Sequence, residues 1–458
     1  MKPHSESRRI ARGLANALAA SGDDRAQARE HLAQALGRDQ RWLSTVQRAV
    51  RQRFGAYGGA ALARRHAELC EFIATRPALL AAFDNIREPP RLAGYFTFHA
   101  TMGAAPLSMG GIAAPALATP AELARWLGLT TDELDWFAGV RVRDGRRLAE
   151  PLNHYRYLWV PKASGGMRLL EIPKRRLAAM QRRILDGILY FVPPHEAAHG
   201  FRPRRSALTH AAGHVGKEAV LRMDLRDFFV SVRASRAHAL FASLGYPAPV
   251  ARLLTGLTCH ITPKAVLRER ISANAAGYDP AAWRVWSAWF SPHLPQGAPS
   301  SPALANLCAF NLDLRLGTLA ADAGVHYTRY ADDLAFSGER ALARGVESFK
   351  RTVAVIAAGE GFAVNTRKTH LMLRSQRQQL TGVVVNARPN VRRTDYDELK
   401  AILHNCVRHG PVSQNRAGLP DFRAHLAGRI THICTLNPVR GVRLAAAFDA
   451  IAWPEQGV

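Results

Sequence analysis

Over about the first 90 residues, apolar side chains recur three and four positions apart, as in 26–36 and 60–72, with Arg and Glu between them. That spacing predicts one-faced helices. A Gly/Ala/Pro-rich stretch at about 93–118 reads as a joint. It carries no charge after Arg91, yet Pro106, Pro115 and Pro120 interrupt it and few of its residues are strongly apolar, so a membrane span is not expected. Thr119 then caps a helix with Pro120 in its first turn. From about 151 the period shortens to two. Residues 155–160 and 167–172 flank the turn Ser164-Gly165-Gly166 as a hairpin. A helix is predicted over 177–191, a short strand over 220–229, two strands around a tight turn over 325–336, a strand at 383–385, and helices from 394 onward. The expected division is a helical extension (1–150), a mixed segment (151–385) and a helical segment (386–458), an α+β chain.

Composition adds one strong fact. Among 458 residues, 62 Lys+Arg against 36 Asp+Glu leave a formal charge of +26. A surplus of that size attracts polyanions, nucleic acid first. Only eight of the 62 are Lys, and Arg has the planar fork that matches phosphate. Lys174-Arg175-Arg176, Arg182-Arg183 and Arg202, Arg204 and Arg205 are candidates to track a backbone, or are solvated faces. Trp283, Trp286 and Trp289, three apart, suit core packing or base stacking. The five cysteines are odd in number, widely spaced and without a C-x-x-C pair. That pattern fits free thiols in a reducing cytosol rather than a disulfide framework or a zinc site. Arg12, Asn16 and Asp23-Asp24 spoil the signal-peptide look of the start, so a cytoplasmic protein is expected.

In so basic a chain, acids inside apolar strands stand out. Asp224 ends the apolar run Val220-Leu221-Arg222-Met223, and Asp332-Asp333 lie between the apolar halves Tyr327–Tyr330 and Leu334–Phe336. Adjacent carboxylates near apolar surroundings are costly unless a cation neutralises them. Two Mg²⁺ ions about 3.5–4 Å apart do so in enzymes of phosphoryl transfer. Taken singly, Asp332-Asp333 also suits an ordinary turn and Asp224 a strand-end cap.

Four segments in order resemble the reverse transcriptases, and within them the bacterial retron type: Arg222-Met223-Asp224-Leu225-Arg226-Asp227-Phe228-Phe229, Leu294-Pro295-Gln296-Gly297-Ala298-Pro299-Ser300-Ser301-Pro302, Tyr327-Thr328-Arg329-Tyr330-Ala331-Asp332-Asp333 and Asn365-Thr366-Arg367-Lys368-Thr369. The resemblance covers about 150–400. It implies a right-hand fingers–palm–thumb polymerase with a helical N-terminal extension. It further implies that Asp224 and Asp332 hold two Mg²⁺ ions with the Leu225 carbonyl assisting, and that Asp333 completes the catalytic acids. Phe229 stands where this family places its sugar gate, although one of Phe228 and Phe229 should point into the core. Lys162 and Arg168, on the fingers hairpin, would close over the triphosphate, and Gln296 and Gly297 would line the nascent pair. Two further elements resemble the retron subgroup in its RNA contacts. His210-Ala211-Ala212-Gly213-His214 stands for Asn-Ala-x-x-His, with His210 replacing Asn, and Leu380-Thr381-Gly382 stands for Val-Thr-Gly. The implied contacts are His210, His214, Thr381 and Gly382; His214 also suits plain packing. The implied partners are dNTPs, an RNA–DNA hybrid, a cognate structured non-coding RNA as template and primer, and an effector protein. The implied product is a branched RNA–DNA (msDNA) serving anti-phage defence. The alternatives are a group II intron-like or abortive-infection reverse transcriptase, and a catalytically silent RNA-binding scaffold.

Overall fold

The computed structural model describes residues 5–59, 61–62, 65–85, 88–94, 96, 102, 114–139, 153–162, 167–271 and 288–453. The turn Ser164-Gly165-Gly166, Trp283, Trp286 and most of the joint at 93–118 lie outside the described residues. The chain forms two compact units that interleave along the sequence: 1–193 with 232–304, and 194–231 with 305–458.

In the first unit, the described part of the expected helical start includes the helices Ser5–Ala20, Arg25–Leu36, Leu43–Phe54, His66–Ala74 and Pro77–Phe83. Their three-and-four spacing turns Ile10, Leu14, Leu18, Leu32, Val46, Leu69, Ile73 and Leu79 into one core of their own. Thr119 caps the helix Pro120–Leu127 as expected, through a full capping box with Glu122. The predicted hairpin is β1 (Tyr155–Pro161) antiparallel to β2 (Met167–Pro173), with Val160 opposite Arg168. The next helix, Arg175–Gly187, stops short of the predicted 191, where a 3₁₀ turn, Leu189–Phe191, takes over. Its fully buried Gln181 donates to Tyr155 Oη (3.1 Å) and the Leu257 carbonyl (2.9 Å), which fastens the hairpin to the helix Ala248–Thr258.

Strand β2 carries a buried acid. The Glu171 carboxylate accepts from Thr262 Oγ1 (2.6 Å) and His293 Nε2 (3.0 Å), and its amide donates to the Gln296 carbonyl (2.8 Å). Burial pushes the Glu171 carboxyl up, but His293, His260 and Thr262 together hold it below its ordinary value. The Gln296-Gly297 loop is thereby pinned to the hairpin. Gly297 has φ +129°, and a Cβ there would sit 3.2 Å from the Glu171 carbonyl oxygen, so the approach needs glycine. Trp289 is buried and packs edge-on against His293, the core alternative for that residue.

The second unit is built on a five-stranded sheet. β3 (Ala219–Arg226) lies between β5 (Asp333–Gly338) on one side and β6 (Ala363–Val364) and β7 (His370–Leu373) on the other, and β4 (His326–Tyr330) pairs with the far edge of β5. All the pairings are antiparallel. The helices Phe310–Asp322 and Val346–Gly359 follow and precede these strands in sequence and pack on one another. A short hairpin, β8 (Gln379–Leu380) and β9 (Val383–Val384), turns through Thr381 (φ 44°) and Gly382 (φ 88°). Two successive positive φ values make the tight turn whose twist suits a two-residue hairpin. Three helices end the unit, Arg393–His409, Phe422–Leu436 and Pro438–Asp449, with Leu399, Leu403, Leu426, Ile430 and Leu444 packed around Leu380, Val383 and Val385. Among the described residues, no helix is long and apolar enough to cross a membrane.

Candidate active site

Alternation along β3 points Arg222 and Asp224 to the same face, and antiparallel pairing sets Asp224 directly opposite Asp333. β4 and β5 are joined by the tight turn Ala331-Asp332, in which Ala331 takes φ 56°. The Leu225 amide donates to the Asp332 carbonyl (2.8 Å), so the two acidic segments, over 100 residues apart, are fastened backbone to backbone. The three carboxylates are therefore neighbours. Burial is the main cause that raises the Asp332 carboxyl, followed by the charges of Asp333 and Asp224. The Asp333 carboxyl is raised by burial and by Asp224, against the pull of Arg222.

Two cations answer part of this charge. Arg222 reaches its diagonal neighbour on β5, with Nε 2.9 Å and Nη2 2.7 Å from Asp333 Oδ1. Lys368, at the end of the 3₁₀ turn Thr366–Lys368, donates to Asp224 Oδ2 (3.0 Å). Asn365 Nδ2 donates to Asp224 Oδ1 (3.2 Å) and its amide to the Asp224 carbonyl (2.7 Å). Asp332 has no ion pair among the described residues. Arg222 and Lys368 stood in the quoted motifs without a role; strand alternation from Asp224 is a signal that could have singled out Arg222.

The donor set suits a hard divalent cation: three carboxylates and main-chain carbonyls, all oxygen, with acid charge that the protein neutralises only in part. Among the described residues, no three His, Cys, Asp or Glu side chains stand as a ready-made ligand cluster. Both Arg222 bonds fall on Asp333 Oδ1, while Asn365 and Lys368 take one oxygen each of Asp224, so these donors set the directions of the two carboxylates.

The other expected residues fall in several places. Phe228 is buried and stacks on Phe362 (5.6 Å), while Phe229 is half-buried and faces Phe201 (6.0 Å). One Phe serves the core and the other is only half-buried. In the first unit, Lys162 follows β1 half-buried, Arg168 is exposed on β2, and Gln296 and Gly297 sit on the loop pinned by Glu171. Thr381 and Gly382 form the turn between β8 and β9. Gly382 lines a groove of about 540 Å³ with Val391, Asp395, His425, Arg429 and His432.

His210 and His214 need a correction. Both are fully buried, so neither side chain is presented to RNA. His214 Nδ1 bonds Ser337 Oγ and its Nε2 bonds Thr328 Oγ1 (2.7 Å each), and Thr328 Oγ1 also bonds His210 Nδ1 (2.7 Å). The pair braces β4 and β5 from beneath. The motif fixed the residue types but not the direction in which a short helix, Ala207–Ala212, aims them. His214→Ala is expected to cost about 1–3 kcal/mol of stability, because buried Ser337 loses its hydrogen-bond partner while Thr328 keeps only His210. RNA affinity of the folded protein should stay unchanged. Urea unfolding with filter binding checks both, and weakened RNA binding at unchanged stability would restore the RNA-contact role.

Burial also lowers these imidazoles, His210 to about 3 and nearby His199 to about 4. Unfolded histidine takes up its proton near pH 6.5. The unfolded chain thus binds more protons below that pH, and the stability supplied by the neutral rings, full above pH 6.5, drains away as pH falls toward 3. His210→Asn should flatten part of that acid limb in unfolding curves taken from pH 7 to 4; an unaltered limb would contradict it.

Comparison with known proteins agrees with this geometry. The family model "Reverse transcriptase (RNA-dependent DNA polymerase)" matches residues 160–385. The Retron Mx65 reverse transcriptase of Myxococcus xanthus is 40% identical over 331 residues, covering 72% of this chain and 71% of that one. The Retron Mx162 reverse transcriptase of the same organism is 35% identical, covering 70% and 64%. The Retron Ec86 reverse transcriptase of Escherichia coli is 31% identical, covering 60% and 78%.

Proposed function

This chain belongs to the retron reverse transcriptases and is an RNA-directed DNA polymerase, and from that premise we propose that it copies a cognate structured non-coding RNA into a branched RNA–DNA. The primer is a guanosine 2′-hydroxyl of the same RNA. The product serves anti-phage defence with an effector protein, in the cytoplasm. The architecture we assign is fingers, palm and thumb, with the sheet β3–β7 as palm and the last three helices as thumb.

Support for the chemistry comes from a single arrangement: Asp224 pairs across the sheet with Asp333 while Leu225 is hydrogen-bonded to Asp332. We assign these acids, with the Leu225 carbonyl, to hold two Mg²⁺ ions. Bound there, the ions would supply a lowered pKa for the attacking primer hydroxyl and charge to offset the departing pyrophosphate. The hydroxyl oxygen attacks the α-phosphorus of a dNTP, the bond to the β-phosphate oxygen breaks, and the nascent strand gains one nucleotide. Lys162 and Arg168 bind the triphosphate, and fixed cations of this kind stabilise charge that grows toward the transition state. Gln296 and Gly297 line the nascent pair. Phe229 fills the space a ribose 2′-hydroxyl would need. Thr381 and Gly382, beside the groove that carries His425, Arg429 and His432, contact the RNA.

Arg168→Ala is expected to raise the KM for dNTP about 10-fold or more, the scale of one lost charge-assisted contact. Steady-state incorporation at varied dNTP checks it, and an unchanged KM would remove Arg168 from the site. The experiment for the function as a whole is recovery of nucleic acid from cells that express the gene with its flanking DNA. A DNA strand attached to RNA through a 2′–5′ linkage that debranching enzyme cleaves is the expected product. Linear cDNA alone would favour another class of bacterial reverse transcriptase.

A further inference from the structure

Three residues before Asp332, the second unit buries a full positive charge. Arg329 is completely inaccessible, and so is its counter-ion Asp313, on the helix Phe310–Asp322. The pair is bidentate, Nε to Oδ1 at 2.7 Å and Nη2 to Oδ2 at 2.6 Å. Tyr327 Oη donates to the same Oδ1 (2.8 Å). The remaining nitrogen, Nη1, donates to Asn306 Oδ1 (2.9 Å) and to the carbonyl of Ala331 (3.0 Å). Asn306 Nδ2 in turn donates to the Gly200 carbonyl (2.7 Å), and a Cβ on Gly200 would lie 2.7 Å from the Ala331 amide nitrogen. The Arg329 backbone is clamped as well, its amide to the Ala197 carbonyl and its carbonyl to the His199 amide (2.7 Å each).

Two contacts of this cage fall on Ala331: the Arg329 Nη1 bond to its carbonyl and the close approach of Gly200 to its amide. Ala331 holds a left-handed φ of 56°, which penalises any side chain with a Cβ. Such a conformation persists only where its surroundings over-determine it. A buried ion pair is a weak source of stability, because desolvation offsets most of the attraction. The arginine fork does something a stability role does not require: it spends one donor on the carbonyl of the strained residue that precedes the two acids.

We propose that Arg329 is a positioning residue of the polymerase, its buried guanidinium holding the Ala331 carbonyl and, through it, the strained turn that presents Asp332 and Asp333. The inference rests on those two acids being the reactive pair. Lysine cannot replace arginine here. Its single ammonium can neutralise Asp313 but lacks the planar fork that reaches Asp313, Asn306 and Ala331 together.

The test is single-turnover addition of one dNTP to a primed template by the full-length protein. With Arg329→Lys the rate constant should fall about 100-fold, the loss that follows a small misplacement of reacting groups. The Kd values for dNTP and for the RNA–DNA hybrid should not move. Adding Ala331→Gly to Arg329→Lys should recover about 10-fold, the rate equivalent of the left-handed penalty that glycine escapes. Arg329→Met with Asp313→Leu removes both charges together, so no buried ion is orphaned; with its fold checked by thermal unfolding, its rate constant should also fall about 100-fold. A wild-type rate constant in either Arg329 variant, a loss that appears only in Kd, or no recovery with glycine would overturn the proposal. Asp332→Ala with Asp333→Ala, run alongside, separates the two levels. Synthesis in that variant defeats the assignment of the acids, whereas its silence beside a fully active Arg329→Lys defeats only the role of Arg329.

Discussion

Asp332→Ala combined with Asp333→Ala should abolish dNTP incorporation, by at least about a thousand-fold, while RNA binding stays nearly intact. The size follows from what the two side chains do together. They supply two of the three neighbouring carboxylates, Asp333 opposite Asp224 across the sheet and Asp332 in the turn bonded to Leu225, and groups acting as one unit lose nearly everything when any of them is removed. RNA affinity should survive, because the net charge of +26 attracts a phosphate backbone through dispersed Arg and Lys that these changes leave in place. Removing two acids lowers local repulsion, so the folded state should be no less stable. Primer extension with filter binding on the same preparation reads both properties. Retained synthesis would refute the site; lost RNA binding together with lost synthesis would point to a folding defect in place of lost chemistry.

Phe229→Ala should relax discrimination against ribonucleotides by about 10- to 100-fold, the range a single shape contact in a pocket commonly commands. The reason is geometric. Phe228 is committed to the core, stacked on Phe362, whereas half-buried Phe229, on the same helical turn, faces exposed Phe201. Truncation opens the volume that a 2′-hydroxyl would occupy. The effect should appear in the rNTP kcat/KM, with little change in that for dNTP. Equal discrimination before and after truncation would remove Phe229 from the gate, and a matched fall for both nucleotides would mean that it only packs.

Much of this was legible in the sequence because strands and turns write themselves in short periods. The hairpin β1–β2, the turn at Ala331-Asp332 and the capped start at Thr119 each depend on residues within about ten positions of one another. The acids were legible for a different reason: carboxylates inside apolar strands are costly, and that cost marks them in a basic chain. What stayed hidden was direction and distance. Nothing in His210-Ala211-Ala212-Gly213-His214 says that both rings turn inward to Thr328 and Ser337, more than 100 residues away. Asp313 reads as an ordinary helix acid until Arg329 is seen against it. The interleaved units also escape a linear reading, because residues 194–231 leave their sequence neighbours to join 305–458. Lys368 and Arg222 were visible as letters but not as the cations that orient Asp224 and Asp333.

The most direct test is a count of metal ions. Mn²⁺, substituted for Mg²⁺ on the protein bound to a primed template and a non-hydrolysable dNTP, can be titrated and followed by electron paramagnetic resonance. Two ions per chain are expected, close enough to couple magnetically at the roughly 3.5–4 Å of a shared carboxylate pair, and Asp332→Ala should abolish the coupled signal. Two uncoupled ions, or a coupled pair that survives Asp332→Ala, would show that Asp224, Asp332 and Asp333 do not form one metal site.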